Sequence, residues 1–144
     1  MIYLIDTNVF LRTLVKEDEA AHEDCKDLLQ AVKMNKIKAM TCNLVLAEVM
    51  WTLLSFYKVD RSLATESVKA IVNLRGLKLV DGYRPLLALE LFEEKRVKFV
   101  DAMLASIQEV GLGKVVVVSY DQEFDKLGVV RKEPRDALIE LSRS

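Results

Sequence analysis

The sequence predicts an α/β domain whose parallel sheet is covered by helices on both faces. Short apolar runs alternate with longer segments of helical periodicity, as they do along an α/β chain. The short runs are continuously apolar rather than alternating, which marks strands buried on both faces. Length and composition agree. The chain has 144 residues, 51% hydrophobic and 30% charged, with 5 Gly and 2 Pro. That suits one domain over residues 1–144 with a sizeable core, and it excludes a low-complexity or disordered chain.

Residues 1–5 are short, apolar and twice β-branched, and read as a buried strand. Asp6, Thr7 and Asn8 then offer three caps for a helix starting near Val9. Residues 18–34 set Ala21, Cys25, Leu28, Leu29 and Val32 at helical spacing. Residues 37–41 form a second strand. Asn43 caps an apolar helix running to about Tyr57. Asp60 or Ser62 caps the next helix, with Leu63, Val68, Ile71, Val72 and Leu74 inward and Gly76 as its stop. Residues 77–80 are a third strand, and 84–94 a helix with Pro85 in its first turn. Residues 100–110 give another helix, ended by Gly111. Residues 114–118, four valines after a lysine, are the clearest strand in the chain. A short helix over 121–127 closes at Gly128. Val129 and Val130 make an edge strand, and 134–141 a terminal helix.

Charge and sulfur content narrow the function. Lys plus Arg is 21 against 22 for Asp plus Glu, a formal net charge of −1. Non-specific coating of nucleic acid is therefore excluded, and any such contact rests on a local patch. Two Cys and one His cannot build a four-ligand zinc site and leave little for Cys-His or Ser-His chemistry. No stretch has the pattern of a signal peptide or the length of a membrane span. A soluble cytoplasmic protein is expected, with Cys25 and Cys42 reduced and structural.

Four acids stand out. Glu48 is the only charge in residues 44–57, a segment apolar nearly all round that predicts a buried helix. Asp101 is the only charge in residues 99–107. An ionised carboxylate in a core needs a cation, donors or a shifted pKa. Asp6 directly follows the first strand, and Asp121 lies three residues past Val118. In an open parallel sheet, ligands bind beyond the carboxyl ends of the strands. Each acid also has a plain structural explanation. Asp6 and Asp121 serve as N-caps worth about 1 kcal/mol each, Asp101 as a cap or partner of Lys98, and Glu48 as a satisfied core acid. The two readings differ in whether the acids converge. Converging carboxylates without His or Cys are hard ligands for Mg²⁺ or Mn²⁺. Such ions neutralise phosphate charge and lower the pKa of a bound water.

In four places the chain resembles the PIN-domain family, and most closely the VapC-like toxin ribonucleases of type II toxin–antitoxin systems. The matching segments are Ile5-Asp6-Thr7-Asn8-Val9, Leu46-Ala47-Glu48-Val49, Val100-Asp101-Ala102 and Ser119-Tyr120-Asp121-Gln122-Glu123-Phe124. Each is weak alone; together, in this order and spacing, they cover essentially the whole chain. The resemblance implies a Rossmann-like arrangement with a central parallel sheet of about five strands. It implies a metal-dependent endoribonuclease with one or two Mg²⁺ or Mn²⁺ ions held by Asp6, Glu48 and Asp101, and by Asp121 as a more peripheral ligand through water. It places Asn8 and Ser119 as hydrogen-bonding supports of the cluster. It further implies a homodimer and, in many members, a small antitoxin that blocks the acidic groove. Tyr120 departs from the family pattern, in which smaller or polar residues are common. Asp121 is preferred to Asp125 as the fourth acid because it holds the Ser-x-Asp position.

RNA contacts are assigned to Lys95, Arg96 and Lys98, just before Asp101, and to Arg12 and Lys16 on the helix after Asp6. Lys33, Lys36 and Lys38 read as a solvated face, and His22 as exposed and inert. Trp51, Phe56 and Tyr57 read as core or dimer contacts. Two other readings keep the fold: a PIN nuclease in RNA processing or quality control without an antitoxin, and a non-catalytic binding module. Retention of all four acids speaks against the latter. A haloacid-type phosphatase would need an Asp where Asn8 stands, and a receiver domain an acid adjacent to Asp6.

Overall fold

The structure, a computed structural model, describes residues 1–143. Five parallel strands lie in the order β3-β2-β1-β4-β5. They are β1 (Ile2–Ile5), β2 (Lys38–Thr41), β3 (Leu77–Leu79), β4 (Val115–Val118) and β5 (Arg131–Lys132). The chain begins at the centre, winds outward through β2 to β3, then crosses back to β4 on the other side of β1. The order therefore reverses between β1 and β4, and a crevice opens there at the carboxyl edge. β1 and β4 pair in register from Ile2↔Val115 to Ile5↔Val118. Leu4, Ile5 and the four valines are buried, as continuous apolar strands require.

The helices are α1 (Thr7–Leu14), α2 (Glu19–Lys33), α3 (Asn43–Ser55), α4 (Arg61–Val72), α5 (Pro85–Lys95), α6 (Phe99–Ala105), α7 (Gln108–Gly111) and α8 (Pro134–Ser142). They pack as two groups, α1–α4 with α8, and α5–α7 with a 3₁₀ turn over Gln122–Leu127. Asp18 and Asp60 cap α2 and α4 with their side chains, accepting from the amides of Ala21 and Leu63 at 2.9 Å each.

The structure departs from the sequence expectations in several places. The helix predicted over 100–110 is broken: α6 ends at Ala105 and α7 starts at Gln108. The Ser106 hydroxyl donates back to the Met103 carbonyl at 2.6 Å, while Arg84 donates to the Ser106 hydroxyl and carbonyl at 2.9 and 2.7 Å. A serine competing with the helix backbone, held by a remote arginine, turns the chain. α3 is not buried all round. Only Val45, Val49 and Leu53 are buried, while Trp51 is 67% and Phe56 71% exposed. Asn43 does not cap α3. Cys42 holds the cap position without a capping bond, and Asp81 accepts from the Asn43 amide at 3.2 Å and side chain at 2.7 Å. The edge strand is Arg131–Lys132 rather than Val129–Val130. Val129 turns into the core, and the Val130 carbonyl already accepts from Val117 at 2.8 Å. The short helix expected over 121–127 is present as a 3₁₀ turn that closes at Gly128.

Gly76 has a different role from a helix stop. α4 ends at Val72, and Gly76 turns the chain into β3 with φ +87°. A Cβ there would meet the Val32 carbonyl oxygen at 2.4 Å. Left-handed strain and a backbone clash add, so Gly76→Ala is expected to cost about 2–3 kcal/mol of stability in urea unfolding.

Candidate metal centre

Asp6 and Ser119 stand at the switch point, one at the end of β1 and the other at the end of β4. The ladder carries them there: the Asp6 amide donates to the Val118 carbonyl at 3.1 Å, and the Ser119 amide to the Lys132 carbonyl at 3.0 Å. Asp6 occupies the N-cap position of α1 but makes no side-chain cap bond. Its carboxylate is turned into the crevice instead. Oδ2 accepts from the Ser119 hydroxyl at 2.6 Å and, more loosely, from Asn8 Nδ2 at 3.4 Å. Asn8 also donates to the Ser119 hydroxyl at 3.0 Å and accepts from the Tyr120 amide at 3.2 Å. Asn8 and Ser119 thus lock the β1–α1 and β4 turns together around one face of Asp6.

The other acids reach the same crevice from α6 and from the turn after β4. Asp101 sits in the first turn of α6 and is 2% exposed. Asp121 caps the 3₁₀ turn, where Oδ1 accepts from the Glu123 amide at 3.0 Å. Carboxylate oxygens of Asp101, Asp121 and Glu123 lie within 4.8 Å of one another. Lys98, at the N-cap position of α6, joins them: its Nζ is 2.9 Å from Asp121 Oδ2 and 4.0 Å from Asp101 Oδ2. The Lys98 amide donates to Glu123 Oε2 at 3.3 Å. Glu48 is half-buried on α3, outside that trio. Its charge still acts on Asp6 and Lys98.

The electrostatics follow from burial and crowding. Burial pushes the Asp6 carboxyl up to about 6; the Ser119 hydroxyl and Thr7 amide oppose the rise, and Glu48 adds to it. Asp101 is pushed up to about 8, first by burial and then by repulsion from Asp6 and Asp121, with Lys98 offsetting part. For Asp121, burial is outweighed by the Lys98 ammonium and the Glu123 amide, which hold its carboxyl below the usual range. Burial works to lower the Lys98 ammonium, but Asp121, Asp101 and Glu48 together hold it above its ordinary value. Two buried carboxylate oxygens, Asp6 Oδ1 and Asp101 Oδ2, have no hydrogen-bond partner. Ser119→Ala removes the short donor to Asp6. It is expected to lower stability by about 1–3 kcal/mol at pH 7, read by urea unfolding.

The structure therefore gathers Asp6, Asp101, Asp121, Asn8 and Ser119 at one crevice, with Glu48 at its side. One residue has a role in the crevice that the sequence alone did not assign. Glu123 completes the acidic trio, and its spacing two residues after Asp121 at a helix start is the signal for it. Lys98, read from the sequence as an RNA contact and also as a partner of Asp101, points into the acids. The remaining predicted RNA contacts lie elsewhere. Arg12 pairs with Glu17 at 3.3 Å and Lys16 with Glu19 at 3.5 Å. Lys95 and Arg96 are exposed at the end of α5, which Arg96 closes with φ 56°. Asp125 pairs with Arg131 at 3.0 Å. His22 is half-buried rather than exposed, and its Nδ1 meets the Arg12 carbonyl at 2.9 Å.

Three solved structures share this architecture. PAE2754 from Pyrobaculum aerophilum superposes with a TM-score of 0.71 at 18% identity, covering 100% of this chain and 97% of that one. VapBC2 from Rickettsia felis, bound to a DNA fragment from its promoter, gives 0.67 at 17% identity, with 92% and 98% coverage. VapC20 from Mycobacterium tuberculosis, a sarcin–ricin loop cleaving toxin, gives 0.60 at 22% identity, with 90% and 97% coverage. No curated protein matches the sequence. The PIN domain family model matches residues 3–130, and the chain belongs to that family.

Proposed function

We propose that the chain is a metal-dependent endoribonuclease that hydrolyses RNA phosphodiester bonds as the toxin of a VapBC-type pair. The observation that supports this most is the pair of buried carboxylate oxygens without a hydrogen-bond donor, Asp6 Oδ1 and Asp101 Oδ2, the latter clustered with Asp121 and Glu123. Buried acids are stable only when a cation or donors satisfy them. The donor set is all carboxylate oxygen, which fits a hard divalent ion and excludes a soft one. Asp6, Glu48, Asp101 and Asp121 would hold one or two Mg²⁺ or Mn²⁺ ions, with Glu123 added. When bound, such an ion supplies positive charge to a phosphodiester and lowers the pKa of a water at it.

The chain's own residues do the positioning. Ser119 and Asn8 fix the Asp6 carboxylate against the end of β4. Asp121 commits Oδ1 to the Glu123 amide and leaves Oδ2 facing the crevice. RNA as substrate is supported by membership of the PIN family and by the likeness to VapC20. Lys95, Arg96 and Lys98, with Arg12 and Lys16, stay assigned to its phosphates. A homodimer and a small antitoxin partner are supported by the apolar side chains left exposed, among them Trp51, Phe56, Leu63, Leu86 and Phe92. A cytoplasmic location goes with that role; among the described residues no helix is long and apolar enough to cross a membrane.

The test is cleavage of total RNA by the partner-free protein with Mg²⁺, with Mn²⁺ and with chelator. Asp6→Asn is expected to lose activity on the order of 100-fold or more while remaining folded. Equal cleavage by that variant would remove the site.

A further inference from the structure

Every member of the acidic trio touches the same residue. Lys98 Nζ lies 2.9 Å from Asp121 and 4.0 Å from Asp101, and the Lys98 amide holds Glu123 at 3.3 Å. The carboxylate oxygens of these three acids that lie within 4.8 Å of one another are the ones a divalent ion would draw together. We infer that Lys98 is a resident counter-ion of the metal centre, competing with the divalent ion for Asp121 and Asp101, so that metal entry displaces its ammonium.

This inference rests on the metal reading of the same acids and adds to it a residue that opposes the metal. Three observations support it. The backbone that carries the ammonium is anchored beside the acids, because Lys98 holds the N-cap position of α6 and its amide is tied to Glu123. Its way out is open, because the side chain is 61% exposed while Asp101 is 3% exposed. A lysine stem is flexible and its point charge has no fixed fork to keep it in place. An ammonium at 2.9 Å from a ligand oxygen also repels a dication bound to that oxygen, so the two occupancies exclude each other.

The displaced ammonium remains tethered at the mouth of the crevice. There it can meet a phosphate of the substrate, which it cannot do while paired with Asp121. Lys98 is thus a positioning residue with two states, holding acids before metal entry and free for RNA after it.

Calorimetric titration of Mn²⁺ into the wild-type protein, Lys98→Met and Lys98→Arg, at low salt, tests this without any cleavage assay. The expected result is Mn²⁺ affinity raised on the order of tenfold in Lys98→Met and near wild type in Lys98→Arg, which keeps the charge. Lys98→Met binding Mn²⁺ no more tightly than wild type overturns the competition and leaves the metal reading standing. Absence of Mn²⁺ binding to all three proteins overturns both together.

Discussion

Asp101→Asn is expected to abolish RNA cleavage and, in the same protein, to raise the stability of the metal-free form. The two effects run in opposite directions for one reason, the trade of stability for function at a crowded acidic site. Asp101 is buried, with one oxygen lacking a hydrogen-bond donor and two other carboxylates close enough to help push its pKa up to about 8. Ionising a carboxyl that resists deprotonation costs the fold about 1.4 kcal/mol for every pH unit by which its titration is delayed. Asparagine keeps the shape, carries no charge and offers two donors to the oxygens around it. A gain on the order of 2 kcal/mol at pH 8, or roughly 5 °C in Tm, is expected from calorimetric scans in chelator. The same variant should lose the stabilisation by Mn²⁺ that the wild type shows. A lower Tm in chelator at pH 8 would mean that the Asp101 charge is already satisfied within the fold.

The second large effect is the pH dependence of the metal-free protein. Asp6 and Asp101 carry native pKa values of about 6 and 8, against about 4 in an unfolded chain. The native state therefore binds protons more tightly than the unfolded state between these values. Their contribution to stability is fully present below about pH 4 and is lost as pH rises through 6 and then 8. The two acids repel each other and titrate as a pair. Asp121 acts in the opposite sense, since its depressed pKa adds stability that disappears only on acidification below the ordinary carboxylate range. Between pH 5.5 and 8.5 in chelator, Tm is expected to fall by on the order of 10 °C. Saturating Mn²⁺ should abolish that fall, because metal binding requires the deprotonated acids and becomes tighter as they ionise. A Tm that is flat across this range in chelator would show that neither burial nor crowding raises the titration of these acids.

The legibility of this molecule in its sequence follows how local each cause is. The strands around residues 1–5 and 114–118 are legible because burial on both faces writes itself as an apolar run, whereas β2 and β3 each carry a lysine and β3 is largely exposed. Asp6 and Asp121 are legible as edge residues because they lie just beyond such runs. Asp60 is legible as a cap candidate because capping is a three-residue affair. What fails is non-local. The break at Ser106 depends on Arg84, 22 residues away. The cap of α3 comes from Asp81, 38 residues away. Neither partner is marked by spacing. α3 itself shows how composition misleads. Its apolar circumference reads as burial, yet Trp51 and Phe56 face outward; Val45, Val49 and Leu53 are buried, and Leu44, Leu46, Met50 and Leu54 pack partly buried against the core. An all-apolar helix signals that every face has a partner, inside the chain or outside it. Lys98 is the subtlest case. Its place in the sequence, three residues before Asp101, fits either a phosphate contact or an ion pair, and only the convergence of α6 with the turn after β4 selects the pair.

Everything proposed for the switch point turns on whether its acids hold a divalent ion and whether RNA cleavage depends on that ion. Both are read at once by titrating Mn²⁺ into chelator-stripped protein and following, on the same samples, site occupancy by calorimetry and the appearance of new RNA 5′ ends by sequencing. Discrete new ends are expected, with a yield that rises in step with occupancy and disappears in both Asp6→Asn and Asp101→Asn. Full cleavage in chelator, or a fully occupied site that leaves RNA intact, would contradict the proposed metal-dependent chemistry.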